Sequence, residues 1–350
     1  MTGRRRWCVL YPLDADVITS VQNGRTIFLL DEHEGMGDHD LNLAGIVDSL
    51  RAIRVQSSLL WQHPNTLVPL PSTHALKKVL VGLRASLYPH RLGLPEPDRM
   101  GVPSSSTATD CFVGHTLDTS LRELRHQVRI ELEARRSLPH GDRQDPTLDQ
   151  QATDIVYAFA HQLPRIRSQL DSDLHAAFRG DPAASSIEEV LVCYPGMKAI
   201  TDHRFAHALH RLGAPVVARI IAELSHSDTG VDIHPGAAIG DSFFIDHGSG
   251  VVIGGTSIIG NNVRLYQAVT LGAKHFPVDE HGHLVKGEPR HPIVEDDVVI
   301  YSGATILGRV TIGRGSTIGG NVWLTSSVPP GTTITQAKAL SETFGEGGGI

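Results

Sequence analysis

Up to about Thr229 the apolar residues of this chain fall three and four positions apart, and beyond it they recur every six. The first spacing belongs to amphipathic helices, which return to one face about every 3.6 residues. In "SLRELRHQVRIELEARRS" it selects Leu121, Leu124, Val128 and Leu132, with charge on the other face, so a helix is expected from about Thr119. "HGDRQDPTLD" breaks the pattern. Helical spacing resumes in "DIVYAFAHQLPRIRSQLDSDLHAAF" and again in "ITDHRFAHALHRLGAPVVARIIAELSHS", where Gly213 and Pro215 mark a join between two helices. The first hundred or so residues are mixed: "RTIFLL" reads as a strand, "NLAGIVDSLRAIRVQSSLLWQ" as an amphipathic helix, and Leu92 to Asp110 as a Pro/Ser-rich linker.

After Thr229 the aliphatic series Val294, Ile300, Ile306, Ile312, Ile318 and Leu324 occupies successive sixth positions. A second series runs Ile233, Ile239 and Ile245, slips by two, and resumes at Ile253, Ile259, Leu265 and Leu271. Six-residue periodicity is the signature of a parallel β-helix, in which each unit is a short strand and a turn with its aliphatic residue inward. One coil cannot bury its own interior, so stacked coils supply the core. The slip falls in "FFIDHGSG", where Asp246 and His247 directly follow the inward Ile245. A longer break, "GAKHFPVDEHGHLVKGEPRHP" from Gly272 to Pro292, has no six-residue period and is rich in His, charge, Gly and Pro, which marks it as a binding loop. The expected organisation is an N-terminal region of unassigned role over 1–118, an α-helical domain over 119–228, a repeat domain over 229–335 carrying loop 272–292, and a flexible tail over 336–350.

Composition narrows the function classes. Hydrophobic residues at 40% and charged residues at 20% are ordinary for a globular chain, and a formal charge of -7 gives no basic signature for nucleic acid. Cys8, Cys111 and Cys193 are few, odd in number and far apart, which suits a reducing compartment and argues against a disulfide framework or a thiolate zinc site. Cys193, in a predicted helix with no activating motif, reads as a buried, inert thiol. No segment approaches the ~20 apolar residues of a membrane span, and the basic N-terminus lacks a cleavage signature, so the cytoplasm is the expected location.

"VDIHPGAAIGDSFFIDHGSGVVIG", "VTLGAKHF", "GEPRHP" and "GATILG" together resemble the serine O-acetyltransferases, a longer-chain branch of the hexapeptide-repeat acyltransferases. The resemblance covers roughly Asp181 to Gly331. It implies an α+β fold with a helical N-terminal region followed by a left-handed parallel β-helix, assembled as a trimer or a dimer of trimers. It also implies acetyl transfer from acetyl-CoA, as co-substrate with no permanent cofactor and no metal, to the hydroxyl of L-serine. His247 is then the general base, since a serine hydroxyl is too weakly acidic to attack unaided and an imidazole suits its proton. Asp232 orients that imidazole, as carboxylates do in other His-Asp pairs. Arg290 and His291 hold the substrate carboxylate, for which a guanidinium fork is well matched. Asp246 and Asp181 take the ammonium, and Asp181 doubles as the N-cap of the helix that follows. Ala273, Ser302 and Gly320 match pantetheine contacts, and Ile350 matches a chain end that enters the active site of cysteine synthase. One departure is Gly255, which stands where the family usually has Glu.

Three rivals share these residues. Another hexapeptide acetyltransferase acting on a neutral hydroxyl has no need of Arg290. A metal enzyme like a γ-type carbonic anhydrase requires three convergent ligands from His247, His275, His281, His283 and His291, of which His281 and His283 are expected on an exposed loop tip. A regulatory or assembly protein would have kept the scaffold without the chemistry.

Overall fold

The structure, a computed structural model, describes residues 19–22, 25–28, 43–60, 69–93, 106–136, 146–275, 279–280 and 282–336. Ile350, the expected chain end for a partner, lies outside the described residues, as does His281. The chain divides into a unit of residues 1–65 and a unit of residues 66–350. In the first, β1 (Thr19–Gln22) and β2 (Arg25–Phe28) pair antiparallel, and α1 (Leu43–Leu60) follows.

The second unit opens with α2 (Thr73–Leu87), α3 (Ser106–Arg136), α4 (Pro146–Ala160), α5 (Leu163–Gly180), α6 (Ile187–Cys193), α7 (Pro195–Arg211) and α8 (Pro215–Thr229). Helix α3 starts at Ser106, well before the apolar spacing becomes regular and inside the stretch expected to be linker. Helices α2, α3, α7 and α8 pack around Leu76, Leu80, Leu83, Leu124, Val128, Phe205 and Ile221, all essentially without solvent exposure. Gly213, at a φ of 99°, makes the left-handed link between α7 and α8. The buried Glu131 carboxylate then accepts the free N–H groups of Val216 and Val217 at 3.0 and 2.8 Å, in the first turn of α8.

Gly230, in the left-handed conformation at φ 71°, ends α8 and delivers the chain into the repeats. Fourteen short strands follow in three parallel sheets. The first face holds β3 (Asp232–Ile233), β6 (Val252–Ile253), β9 (Thr270–Gly272), β12 (Thr305–Leu307) and β15 (Trp323–Leu324). The second holds β4 (Ala238–Ile239), β7 (Ile258–Ile259), β10 (Ile293–Val294) and β13 (Thr311–Ile312). The third holds β5 (Phe244–Ile245), β8 (Arg264–Leu265), β11 (Val299–Ile300), β14 (Thr317–Ile318) and β16 (Thr333–Ile334). The chain visits the faces in that order coil after coil, forming the parallel β-helix that the six-residue spacing predicts, in the left-handed form that the resemblance implies. Both aliphatic series point inward: Ile300, Ile306, Ile312, Ile318, Leu265 and Leu271 have no solvent exposure. In-register pairing of Ile253 with Leu271 and of Ile306 with Leu324 stacks them coil on coil.

The helices are bolted to the first coil. Asp173 on α5 forms a buried two-bond pair with Arg204 on α7 and also accepts the Phe243 N–H at 2.8 Å, while Arg204 donates to the Gly240 carbonyl at 2.9 Å. Every charge in this cluster is hydrogen-bonded, which a buried ion pair requires if it is not to be a net loss. No helix among the described residues is long and apolar enough to cross a membrane.

Candidate active site

Functional candidates collect at two corners of the prism. At the corner from the third face to the first, one left-handed residue recurs per coil: Gly230, Gly250, Ala268, Gly303 and Asn321. Backbone hydrogen bonds align these coils, with Ala268 N–H on the Ser249 carbonyl, Gly303 N–H on Gln267 and Asn321 N–H on Ser302. Asp246 N–H likewise meets Leu265, and Tyr266 N–H meets Ile300, which aligns Asp246 with Tyr266. Between the aligned positions Asp246 and Ser249, the first coil carries two residues that the next coil lacks, His247 and Gly248. The two-residue slip is therefore an insertion of those two residues. Both are left-handed, at φ 59° and 93°, and the Gly248 N–H closes on the Asp246 carbonyl at 2.7 Å in a three-residue turn around His247. A Cβ on Gly248 would come within 2.9 Å of Val231, so glycine is required twice over. Such a left-handed, non-glycine position is held only where its surroundings over-determine it.

The insertion leaves the His247 side chain 72% exposed while the neighbouring Asp246 carboxylate is 10% exposed. Asp246 accepts from Arg264 at 2.6 Å and lies 3.9 Å from His247 Nε2. Arg264 also donates to the Gly180 carbonyl at 2.5 Å, and its guanidinium rests over the Phe244 and Tyr266 rings. Asp181, beside Gly180, accepts from the Tyr194 hydroxyl at 2.6 Å and from the Ala183 N–H at 2.8 Å. The Tyr194 bond, with the Ala183 N–H next, holds the Asp181 carboxyl below the usual range, and the same bond pushes the Tyr194 hydroxyl up to about 12. Asp232 begins the first face, half-buried, with its N–H on the Val251 carbonyl. No hydrogen bond or ion pair joins Asp232 to His247; the carboxylate within ion-pair reach of that ring is Asp246.

The corner from the first face to the second carries the opposite chemistry. The His291 ring seats against Gly254, where a Cβ would lie 2.0 Å from its Cδ2, and His234 covers Gly255 in the same way, at 2.7 Å from Nδ1. Glycine at 255 thus makes room for the His234 imidazole. The Thr256 hydroxyl accepts the N–H groups of Arg290 and His291 at 2.9 and 3.1 Å. Burial first, then Arg290, His234 and Arg309, pushes the His291 imidazole down to about 4. Arg290 Nε is buried without a hydrogen-bond partner. Lys274, His275, Glu288, Arg290 and Arg309 line a cavity of about 310 Å³ beside it, predominantly cationic.

Of the residues expected at the site, Asp181, Asp246 and His247 meet at the third-to-first corner, with Asp232 at its edge. Ser302 and Gly320 sit two and three coils along the same corner, where a Cβ on Gly320 would be 3.2 Å from the Ser302 carbonyl. Arg290, His291 and Ala273 belong to the first-to-second corner. Two expectations fail. Asp181 is not an N-cap: it terminates α5, and Ser186 caps α6 by accepting the Glu189 N–H, because the helix starts five residues further on. Cys193 is exposed rather than buried, since two-turn α6 buries only Val190. Sequence reasoning missed Arg264, Tyr194, Thr256 and Arg309. Arg264 left no trace either, because the two inserted residues put it in register with Phe244 and not with Asp246. His283 and His275 are exposed, and among the described residues no group of three or more His, Cys, Asp or Glu side chains is placed to hold a metal ion.

Residues 291–326 match the family model for the bacterial transferase hexapeptide (six repeats). The chain is 58% identical over 283 residues to a serine acetyltransferase (plasmid) of Synechococcus elongatus, spanning 81% of this chain and 86% of that one. It is 46% identical over 162 residues to a serine acetyltransferase of Mycobacterium tuberculosis, 46% of this chain and 67% of that protein. Among solved structures, serine acetyltransferase 1 of Entamoeba histolytica in complex with L-cysteine superposes with a TM-score of 0.62 at 35% identity, covering 74% of this chain and 86% of that one. Isoform 3 from the same organism, in complex with cysteine, gives 0.63 at 31% identity over 85% of this chain and 96% of its own.

Proposed function

We propose that this chain, which belongs to the serine acetyltransferase family, moves the acetyl group of acetyl-CoA to the hydroxyl of L-serine, giving O-acetyl-L-serine and CoA at the first step of cysteine biosynthesis. The family carries the substrate. The His247–Gly248 insertion carries the mechanism, because it sets one exposed imidazole beside two carboxylates at a corner of the repeat lengthened by two residues.

His247 takes the proton of the serine hydroxyl as its oxygen attacks the thioester carbon. Backbone N–H groups of the glycine-rich corners stabilise the oxyanion. Collapse of the tetrahedral species breaks the C–S bond, and the imidazolium returns its proton to the departing CoA thiolate, so no acetyl-enzyme forms. Asp232 orients the base once the exposed ring turns toward it, with Asp246 on the other side. Asp181 and Asp246 face the substrate ammonium. Each already accepts from Tyr194 or Arg264, but a carboxylate offers about four acceptor positions and both have some to spare.

Arg290 and His291, which hold the serine carboxylate in this reading, are on the far corner of the first face. A six-residue side at about 3.3 Å per residue spans roughly 15–20 Å, several times the length of serine. One chain therefore supplies half of each site, and a threefold assembly that sets the first-to-second corner of one copy against the third-to-first corner of the next supplies both. Acetyl-CoA lies in the same groove, along Ser302 and Gly320 of one copy and Ala273 of its neighbour.

The test follows CoA release from acetyl-CoA with and without L-serine. Wild type is expected to show serine-dependent release, and folded His247→Ala to lose at least about a hundredfold in kcat, as expected when a general base is removed. Absence of serine-dependent release from folded wild type, or an undiminished His247→Ala, defeats the proposal.

A further inference from the structure

Thr256 makes four hydrogen bonds to two neighbouring residues of another segment. Its hydroxyl accepts the N–H groups of Arg290 and His291, and the same oxygen lies 2.8 Å from His291 Nδ1. Its own backbone N–H points at that Nδ1 from 3.1 Å. A backbone N–H can only donate, so Nδ1 must present a lone pair to it, and the ring proton must reside on Nε2. The hydroxyl agrees: with both of its lone pairs taken by the two N–H groups, its proton is the one left to fill the 2.8 Å contact. The opposite tautomer would set a ring N–H against a backbone N–H and leave the Thr256 donor unpaired in a half-buried place. Arg309 straps the arrangement from the next coil, donating to the carbonyls of Thr256 and His291 at 2.6 and 3.0 Å. His291 Nε2 makes no hydrogen bond within the described residues, and its ring is fixed against Gly254.

We propose that Thr256 is a positioning residue that holds His291 as the neutral Nε2–H tautomer, so that His291 meets the acceptor carboxylate as a hydrogen-bond donor and moves no proton. This rests on the reading of His291 as a carboxylate contact. It divides the two imidazoles of the site by construction: His247 stands exposed on an inserted turn, ready to accept a proton, whereas His291 is wedged with its accepting nitrogen already satisfied. The depressed affinity of His291 for a second proton agrees with a ring that stays neutral through the physiological range.

The tautomer is read directly in the full chain, labelled with 15N-histidine, by long-range 1H–15N correlation near neutral pH, with His291 identified as the ring missing from His291→Gln. The expected spectrum has the proton on Nε2; a proton on Nδ1 overturns the proposal. This readout needs no turnover, so it decides the inference even if serine proves not to be the acceptor, an outcome that the CoA-release assay reports separately. Kinetics then test the hydroxyl. Thr256→Val strands two backbone donors and is expected to raise KM for L-serine about ten- to hundredfold while KM for acetyl-CoA and kcat stay within about threefold. Thr256→Ser, which keeps the hydroxyl, holds the rise in serine KM to within about threefold. A valine variant indistinguishable from the serine variant, or one that weakens both substrates alike, overturns the positioning role.

Discussion

Three corners run the length of the prism, and comparing them shows where this scaffold acquires chemistry. The second-to-third corner keeps strict period: Ser242, Asn262, Asp297 and Gly315 each supply one left-handed residue, and Asn262 bonds to Asp297 coil on coil. Among the described residues no buried polar side-chain atom at this corner lacks a partner, and no candidate site forms. The third-to-first corner is broken by two residues and gains an exposed imidazole among carboxylates. The first-to-second corner is broken by a long excursion and gains Arg290, His291 and a cationic cavity, with Arg309 reaching in from the next coil. A regular repeat pairs its backbone coil on coil and fills its core, and the candidate base and the Arg290–His291 pair both enter where the repeat is interrupted. The two interruptions are opposite in charge, as a zwitterionic amino acid requires.

The sharpest way to break this comparison is to separate the two corners onto different chains. Co-expression of His247→Ala with a second chain carrying Arg290→Ala and His291→Ala gives oligomers in which some sites take an intact corner from each copy. Random threefold assembly from equal amounts predicts recovery of about a quarter of wild-type activity from two parents near background. No recovery in demonstrably mixed oligomers would place both corners of a working site on one chain and end the shared-site reading.

A smaller effect tests what the cationic corner binds. Arg290→Ala removes a charge-assisted contact to the acceptor and is expected to raise KM for L-serine about ten- to hundredfold, with KM for acetyl-CoA changed less than about threefold. Equal effects on the two would assign Arg290 to the acetyl-CoA groove or to the folding of its loop, leaving the carboxylate without its partner.

How much of this was legible beforehand follows from what periodicity records. The inward positions repeat because the core demands one aliphatic residue every six, so the β-helix, its register and the slip after Ile245 could be read from the chain. Outward positions carry no such constraint. Arg264 reaches Asp246 across one coil, Thr256 grips His291 across 35 positions, and Arg309 closes on both from 53 and 18 positions away, distances at which side-chain pairing leaves no pattern. Motif resemblance named His247 and Arg290 but could not show that they stand on separate corners. The Asp181 and Cys193 expectations failed for a local reason: α6 is short and begins at Ile187, so its cap and its buried face are both set by four or five residues that a longer helical reading had blurred.

The smallest effect concerns the support beneath the acidic corner. Tyr194 donates to Asp181, and that bond is the leading cause of the carboxyl's lowered affinity for protons. The sign follows directly: a carboxyl whose folded value is depressed remains charged as pH falls past the ordinary range, and the interaction with Tyr194 is lost only as pH drops through the depressed value. Tyr194→Phe removes the donor and leaves the Ala183 N–H, so the Asp181 midpoint is expected to rise toward the ordinary carboxylate value without reaching it. Carbon-detected NMR titration of the Asp181 carboxyl measures this without recourse to kinetics. An unchanged midpoint would transfer the effect to the Ala183 N–H and to Arg264, and would tie the acidic corner to the guanidinium that also holds Asp246.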